Sequence, residues 1–186
     1  MKKLFVVLSI CLLGVFSGSR VMGQTATNGL SLGMPEINLL SSAAASISLQ
    51  LTTAIAGEAV KQSISDATAR LKISSIISEG QTRTISAKIT TGSVPAGTTL
   101  KLIALTPNIK FGGTAGALVG TDVTLSTGAA NSIITGIGSC YSGTEADDGY
   151  TLKYTWGLDN PAGNYGQIRA STGSLVTITL TLSAGS

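Results

Sequence analysis

The chain alternates apolar and hydroxyl side chains near its C-terminus, and few folds accommodate this pattern. Val176, Ile178, Leu180 and Leu182 are separated by single threonines. Successive side chains of a strand point to opposite faces, so this segment predicts a half-buried antiparallel strand with its four apolar residues in the core. Because such a strand covers only one side of a core, the pattern favours two sheets that face each other.

The same alternation recurs in two central segments. The first is residues 151–156, in which Leu152, Tyr154 and Trp156 fall on one side together with the preceding Tyr150. In residues 82–90, Ile85, Ala87 and Ile89 share one side, and we assign Arg83 and Lys88 to the remaining positions. Further candidate strands are residues 36–40, 46–51, 70–77, 98–106, 122–126 and 131–137.

Turn-forming residues separate these candidate strands. They are Gly57, Glu79-Gly80, residues 92–97 with Pro95, Gly112-Gly113, Thr127-Gly128, Asp148-Gly149 and Asn160-Pro161. Many short strands at this spacing indicate a sandwich or a barrel. Since alternation favours two facing sheets, we predict a single all-β antiparallel sandwich at residues 35–186, which reaches back to about Leu30 if the N-terminal arm adds an edge strand. One segment departs from alternation: within residues 58–71, Val60, Ile64, Ala67 and Leu71 fall at helical spacing, so both a short helix and an irregular crossover stay open.

The N-terminus has the pattern of a secretory signal peptide over residues 1–23. Lys2 and Lys3 precede an apolar run from Leu4 to Phe16, and small and polar residues follow up to Gly23. The run is too short to span a bilayer, which needs about 20 residues, and no later segment is longer. We therefore predict an exported protein without a transmembrane span, located in the periplasm, on the outer surface or in the medium.

Removal of the signal peptide changes the charge balance. It takes three of the twelve basic residues and leaves nine against nine acidic ones, so the mature net charge is zero. The basic precursor therefore gives no support for nucleic acid or anionic lipid as partners. Cys11 belongs to the signal peptide, and Ile10 before it is atypical of a lipidation site, so only Cys140 remains and no intramolecular disulfide is possible. We expect Cys140 to be a small buried hydrophobe.

The sequence contains few of the residues that catalytic sites use. The absence of histidine excludes Ser-His-Asp and Cys-His systems and most zinc sites, and the glycines of residues 111–116 lack the Lys-Ser/Thr of a phosphate-binding loop. Glu145, Asp147 and Asp148 resemble no calcium loop, and we interpret them as solvated residues of a turn. We expect no catalytic residue, metal or cofactor, and no enzyme.

Five of the six aromatic residues outside the signal peptide lie between Tyr141 and Tyr165. Tyr and Trp rings can stack on sugar rings, which makes Tyr141, Tyr154, Trp156 and Tyr165 candidate glycan contacts. Tyr150, Tyr154 and Trp156 also share a side with Leu152, and packing in the core is the favoured interpretation for these three.

Two stretches resemble known secreted proteins. Residues 161–165 (Pro-Ala-Gly-Asn-Tyr) and the final strand, residues 175–182, resemble the closing turn and last strand of spore coat protein U and pilin-like domains. Residues 82–100 and 137–156 are similar to uncharacterised secreted bacterial proteins. The resemblance implies an exported, non-catalytic immunoglobulin-like sandwich that assembles with other subunits.

Two functions follow from these observations. The first is a structural or adhesive cell-surface protein, and the alternative is a carbohydrate-binding module that uses the aromatics between Tyr141 and Tyr165. Residues 24–34 form an N-terminal arm in which Leu30, Leu32 and Met34 alternate with Ser31 and Gly33. Such an arm can add a strand to a neighbouring subunit. We favour pairing within its own domain.

Overall fold

The computed structural model describes residues 29–43, 46–52, 55–107, 112–171 and 173–184. The chain divides into two units, Met1–Gly33 and Met34–Ser186. The described part of the first unit belongs to no strand. In the described part of the second unit the strands are β1 (Ile37–Ala43), β2 (Ser63–Ile76), β3 (Arg83–Thr91), β4 (Thr98–Leu105), β5 (Gly112–Gly113), β6 (Ala117–Leu118), β7 (Val123–Thr124), β8 (Asn131–Ile137), β9 (Cys140–Tyr141), β10 (Tyr150–Leu158) and β11 (Thr177–Leu182).

These strands form two antiparallel sheets. The larger sheet has the order β5-β9-β2-β10-β4-β7, with β1 paired to β2, and the smaller sheet has the order β11-β3-β8-β6. The two sheets pack against each other and enclose one hydrophobic core. The predicted all-β sandwich is therefore confirmed, while its immunoglobulin-like connectivity stays a prediction.

Alternation places the core residues as predicted. In β11 the threonines are exposed, Ile178 and Leu180 are half-buried and Leu182 is buried. In β10 Tyr150, Leu152 and Tyr154 are buried. Burial raises the pKa of the Tyr154 hydroxyl to about 12, and it also raises the pKa of the Tyr150 hydroxyl, with a further contribution from Cys140.

The prediction of a helix or crossover within residues 58–71 is wrong, because most of this segment belongs to the 14-residue strand β2. Opposite Leu152 and Tyr154 of β10 lie Ala69 and Asp66, so β2 carries one extra residue at this point. Such a bulge interrupts the two-residue period and mimics helical spacing. Asp66 stabilises the bulge by accepting hydrogen bonds from the Thr68 amide (2.9 Å) and hydroxyl (2.6 Å), which lower the pKa of its carboxyl group.

Two further details differ from expectation. Residues 46–51 are not a strand. The Lys61 amide, two residues before β2, donates to the carbonyl of Thr52 just after this segment (3.3 Å). Gly112-Gly113, expected in a turn, forms the short strand β5. Residues 29–34 of the arm belong to no strand, and the pairing of the arm stays a prediction.

Arg83 is the main error of placement, because it faces the core and not the solvent. It lies two residues before Ile85, so both side chains point to the same face of β3, and it is only 2% exposed. From β3 of the smaller sheet its Nη1 donates to the carbonyl of Ile37 on β1 of the larger sheet. Its Nη2 forms an ion pair with Glu36 (3.1 Å). Arg83 therefore connects the two sheets at β1.

Helical structure is minor in the described residues. The short helix α1 (Pro161–Asn164) begins after Asn160, whose side chain accepts a hydrogen bond from the Gly163 amide (3.2 Å), and a 3-10 turn (Tyr165–Gln167) follows. Proline in the first turn suits a helix start. No helix among the described residues is both long and apolar enough to cross a membrane.

Candidate functional site

Tyr154 and Trp156, two of the four candidate glycan contacts, face the core. Tyr154 is 7% exposed, and Trp156 packs half-buried against the core with its Nε1 donating to the Thr98 hydroxyl (3.0 Å). Tyr150 on the same side donates its hydroxyl proton to the Ala115 carbonyl. The favoured interpretation of these three residues as core residues is confirmed.

Tyr141 and Tyr165 are exposed, but they lie at opposite ends of β2. Tyr141 pairs with Ser74 near the end of β2, whereas the Tyr165 hydroxyl accepts a hydrogen bond from the Val60 amide (3.2 Å), just before β2 begins. At about 3.3 Å per residue these positions are roughly 45 Å apart along the strand. The four aromatics therefore do not form one binding surface.

Tyr141 is part of a row of residues across the outer face of the larger sheet. Ser74 separates it from Leu39 of β1, and Tyr141 and Leu39 are 61% and 62% exposed. On its other side Tyr141 pairs with Gly112, where a Cβ would lie 2.3 Å from the ring atom Cε1. The glycine lets the ring lie against the backbone. This row borders a shallow groove that is also lined by Ile37 and Ile76.

The acidic turn has a structural role that the sequence did not indicate. Asp148 is buried, and its Oδ2 accepts a hydrogen bond from the Glu145 amide (2.8 Å), so the expected solvated carboxylate is wrong at this position. Gly143 contacts Asp148 so closely that a Cβ would lie 2.2 Å from Oδ2, and its φ of +84° also favours glycine. Asp147 stays exposed, 3.8 Å from Arg70.

Four basic residues line the outer face of the larger sheet, and sequence analysis missed them as a group. We call this set the basic stripe; it consists of Arg70 and Lys72 on β2, Lys153 on β10 and Lys101 on β4. Each alternates with buried core residues of its strand and is itself half-buried. The sequence showed that each of these residues lies between two apolar residues and therefore points away from the core. It did not show that β2, β10 and β4 are neighbours in the sheet.

Cys140 lies on the inner side of β9 and is 7% exposed, as expected for a small buried hydrophobe. Burial raises the pKa of its thiol, which lowers the fraction of reactive thiolate at neutral pH. Within the described ranges, no three His, Cys, Asp or Glu side chains are grouped so as to hold a metal ion.

Comparison with known proteins adds no assignment. No family model matches the chain, and no match was found among curated proteins or among solved structures. Function is therefore inferred from the geometry described above.

Proposed function

We propose that this protein is an exported, non-catalytic structural or adhesive surface subunit that contacts other subunits through its N-terminal arm. The observation that carries the proposal is the exposure of the arm. Leu30, Leu32 and Met34 alternate with small residues and are 81%, 85% and 76% exposed. In strand addition, backbone pairing gives affinity and alternate apolar side chains fill pockets.

One side of the sandwich suits an added strand. The edge strand β1 of the larger sheet lies beside the edge strand β11 of the smaller sheet. Leu40, Ile178 and Leu180 pack against the core near these edges and remain half-buried. An alternating arm from a second copy would cover these side chains and pair with an open edge.

The test compares the molar mass of residues 24–186 with that of variants, by light scattering across a concentration series. Leu30→Ser together with Leu32→Ser should reduce assembly, because the side chains that fill pockets become polar. Ser31→Thr is the matched control, since it changes the opposite face of the arm and should assemble normally. A monomeric parent protein, or equal assembly in all three proteins, would contradict strand exchange.

Export is tested separately in the native cell. When the full chain is expressed, the protein should be recovered in periplasm, sheared surface material or medium, with Gln24 as the new N-terminus. Recovery of the uncleaved chain in the cytoplasm would contradict the proposed location, whatever the assembly state.

Carbohydrate binding is a second candidate, supported by the exposed ring of Tyr141, which lines the groove and lies in the same row as the exposed Leu39. Trp156→Ala would remove a core contact, so Tyr141→Ala is the more informative variant. Loss of glycan-array binding in Tyr141→Ala, with binding retained in Tyr165→Ala, would support this candidate. Equal binding in both variants would contradict a site at Tyr141.

A further inference from the structure

The outer face of the larger sheet carries a concentration of positive charge that the zero net charge of the mature chain conceals. The basic stripe gathers four cations on three neighbouring strands. Neither β10 nor β4 contains a carboxylate. Charge is thus unevenly distributed, and an uneven distribution determines which charged partners a surface attracts.

The register of the strands makes the stripe continuous. Arg70 pairs with Thr151, and Lys153 is the next residue of β10 on the same face. Lys153 pairs with Ile103 on the other side, and Lys101 is the next residue of β4 on that face. Each step is a diagonal between neighbouring strands, about 7 to 8 Å long. The cations therefore form an oblique line across the sheet.

The two ends of the stripe differ in how they are compensated. At one end Asp147 lies 3.8 Å from Arg70, and Lys72 Nζ donates to the Thr144 carbonyl (2.9 Å). At the other end Lys153 and Lys101 have no ion pair with any described residue. Asp147 is 78% exposed, and exposed ion pairs are weak. A multivalent anion can therefore displace it.

We propose that the basic stripe binds a linear acidic polysaccharide, with Asp147 as a weak internal competitor for Arg70. Carboxylate or sulfate groups along the polymer would pair with the four cations in succession. Thr151 and Thr155 lie between the cations on the same face and offer hydroxyl groups that bind sugar hydroxyls. The proposal names a partner beyond strand exchange and shares with the proposed function only the expectation of a location outside the cell.

The composition of this face favours a glycan over a nucleic acid. The tyrosines and the tryptophan of β10 face the core, so the described part of the stripe has no aromatic side chain between its cations. Proteins that bind single-stranded nucleic acids stack bases on such side chains. The major groove of a duplex admits a helix or a two-stranded ribbon, whereas the stripe spans three strands of a seven-stranded sheet.

The test measures binding of the full mature chain to heparin and to polygalacturonate, with neutral dextran as the uncharged control. Binding to both acidic polymers should weaken as salt rises, because exposed charges are screened. Lys153→Glu and Lys101→Glu should each weaken binding at least about fivefold. Lys88→Glu is the matched control: it makes the same charge change on the outer face of the smaller sheet, opposite Thr179, and should bind within about twofold of the parent.

A second variant tests the proposal independently of losses caused by misfolding. Asp147→Asn removes the competitor of Arg70, so it should bind heparin about twofold to threefold more tightly. Equal weakening in Lys153→Glu and Lys88→Glu, or no gain in Asp147→Asn, would overturn the stripe as the site. Tighter binding to duplex DNA or to phosphatidylserine vesicles than to either glycan would overturn the ligand class. Assembly through the arm is measured separately, so either proposal can fail alone.

Discussion

The edge strands β1 and β11 lie side by side, yet they are held in different ways. In β11 every second residue is a threonine, and Ile178, Leu180 and Leu182 point towards the core. In β1 the sequence Ile-Asn-Leu-Leu-Ser-Ser-Ala shows no such alternation. Its contact to the smaller sheet includes the buried Arg83 guanidinium and its partner Glu36.

The two edge strands are positioned by different features of the chain. In β11 the alternation of threonine with apolar residues determines by itself which face is buried. β1 depends on a side chain more than 40 residues away, since Arg83 donates to the Ile37 carbonyl and pairs with Glu36. A buried guanidinium is costly unless its hydrogen bonds are made, so β1 and Arg83 require each other.

Arg83→Ala should have the largest effect. It leaves a cavity and removes the donor of the Ile37 carbonyl, and we expect a loss of about 3 kcal/mol in the free energy of unfolding by urea denaturation. Arg83→Met, which keeps most of the volume, should lose less. Hydrogen exchange should quicken in residues 37–43 of Arg83→Ala and stay nearly unchanged in β11. A loss below about 1 kcal/mol would show that apolar contacts alone hold β1.

Leu182→Ala should have the next largest effect and act on the other strand. Leu182 is 8% exposed and pairs with Ile85, so its truncation should cost about 2 kcal/mol by the same denaturation measurement. Exchange should now quicken in β11 and not in β1. Equal acceleration in both strands would mean that the two edges unfold as one unit.

Lowering the pH should weaken β1 specifically. Hydrogen bonds from the Ser78 hydroxyl and amide, with the nearby charge of Arg83, hold the pKa of Glu36 below its ordinary value of 4.5. A lowered folded-state pKa stabilises the protein above the unfolded-state pKa, and this stabilisation is lost as the pH falls through the folded-state value. The decline in unfolding free energy below pH 4.5 should therefore be shallower in Glu36→Gln than in the parent. Identical pH profiles would show that the ionised Glu36 side chain does not stabilise β1.

Thr179→Val should have the smallest effect. The Thr179 hydroxyl lies 2.9 Å from that of Thr90 on the exposed face of the smaller sheet. An exposed substitution that keeps the branched side chain should change the free energy of unfolding by no more than about 0.5 kcal/mol. A larger loss would show that hydroxyl pairing on the outer face contributes to holding β11.

Sequence analysis predicted those parts of the fold that depend on local alternation. β8 was predicted with its observed bounds, and β3, β10 and β11 to within two residues or so. For β2 it predicted the second half, as a strand at residues 70–77, and failed in the first half, where the bulge at Asp66 and Thr68 changes the spacing of apolar residues. A bulge is defined by what lies opposite it, and the partner Tyr154 is nearly 90 residues away.

The candidate site was less predictable than the fold. Burial of Tyr154 followed from alternation with Leu152. The strands of the basic stripe that lie side by side are far apart in sequence, since Lys153 follows Lys101 by 52 residues and Arg70 by 83, so the sequence did not reveal which strands are neighbours. Arg83 and Ile85 are two residues apart, so their side chains point to the same face of β3. The prediction nevertheless assigned Arg83 to the other face, because it is charged. A charged residue in register with an apolar row therefore indicates a buried polar contact across the core.

The pairing of β11 with β3 also has a consequence for the order of folding. Leu182 pairs with Ile85, so almost a hundred residues separate partners in the smaller sheet. Contacts between such distant residues form slowly, because a long loop must close before they contribute. A chain that emerges from a ribosome or a translocation channel N-terminus first leaves one edge of β3 unpaired until Leu182 is free. Synthesis of the last strand therefore sets the earliest moment at which this sandwich can close.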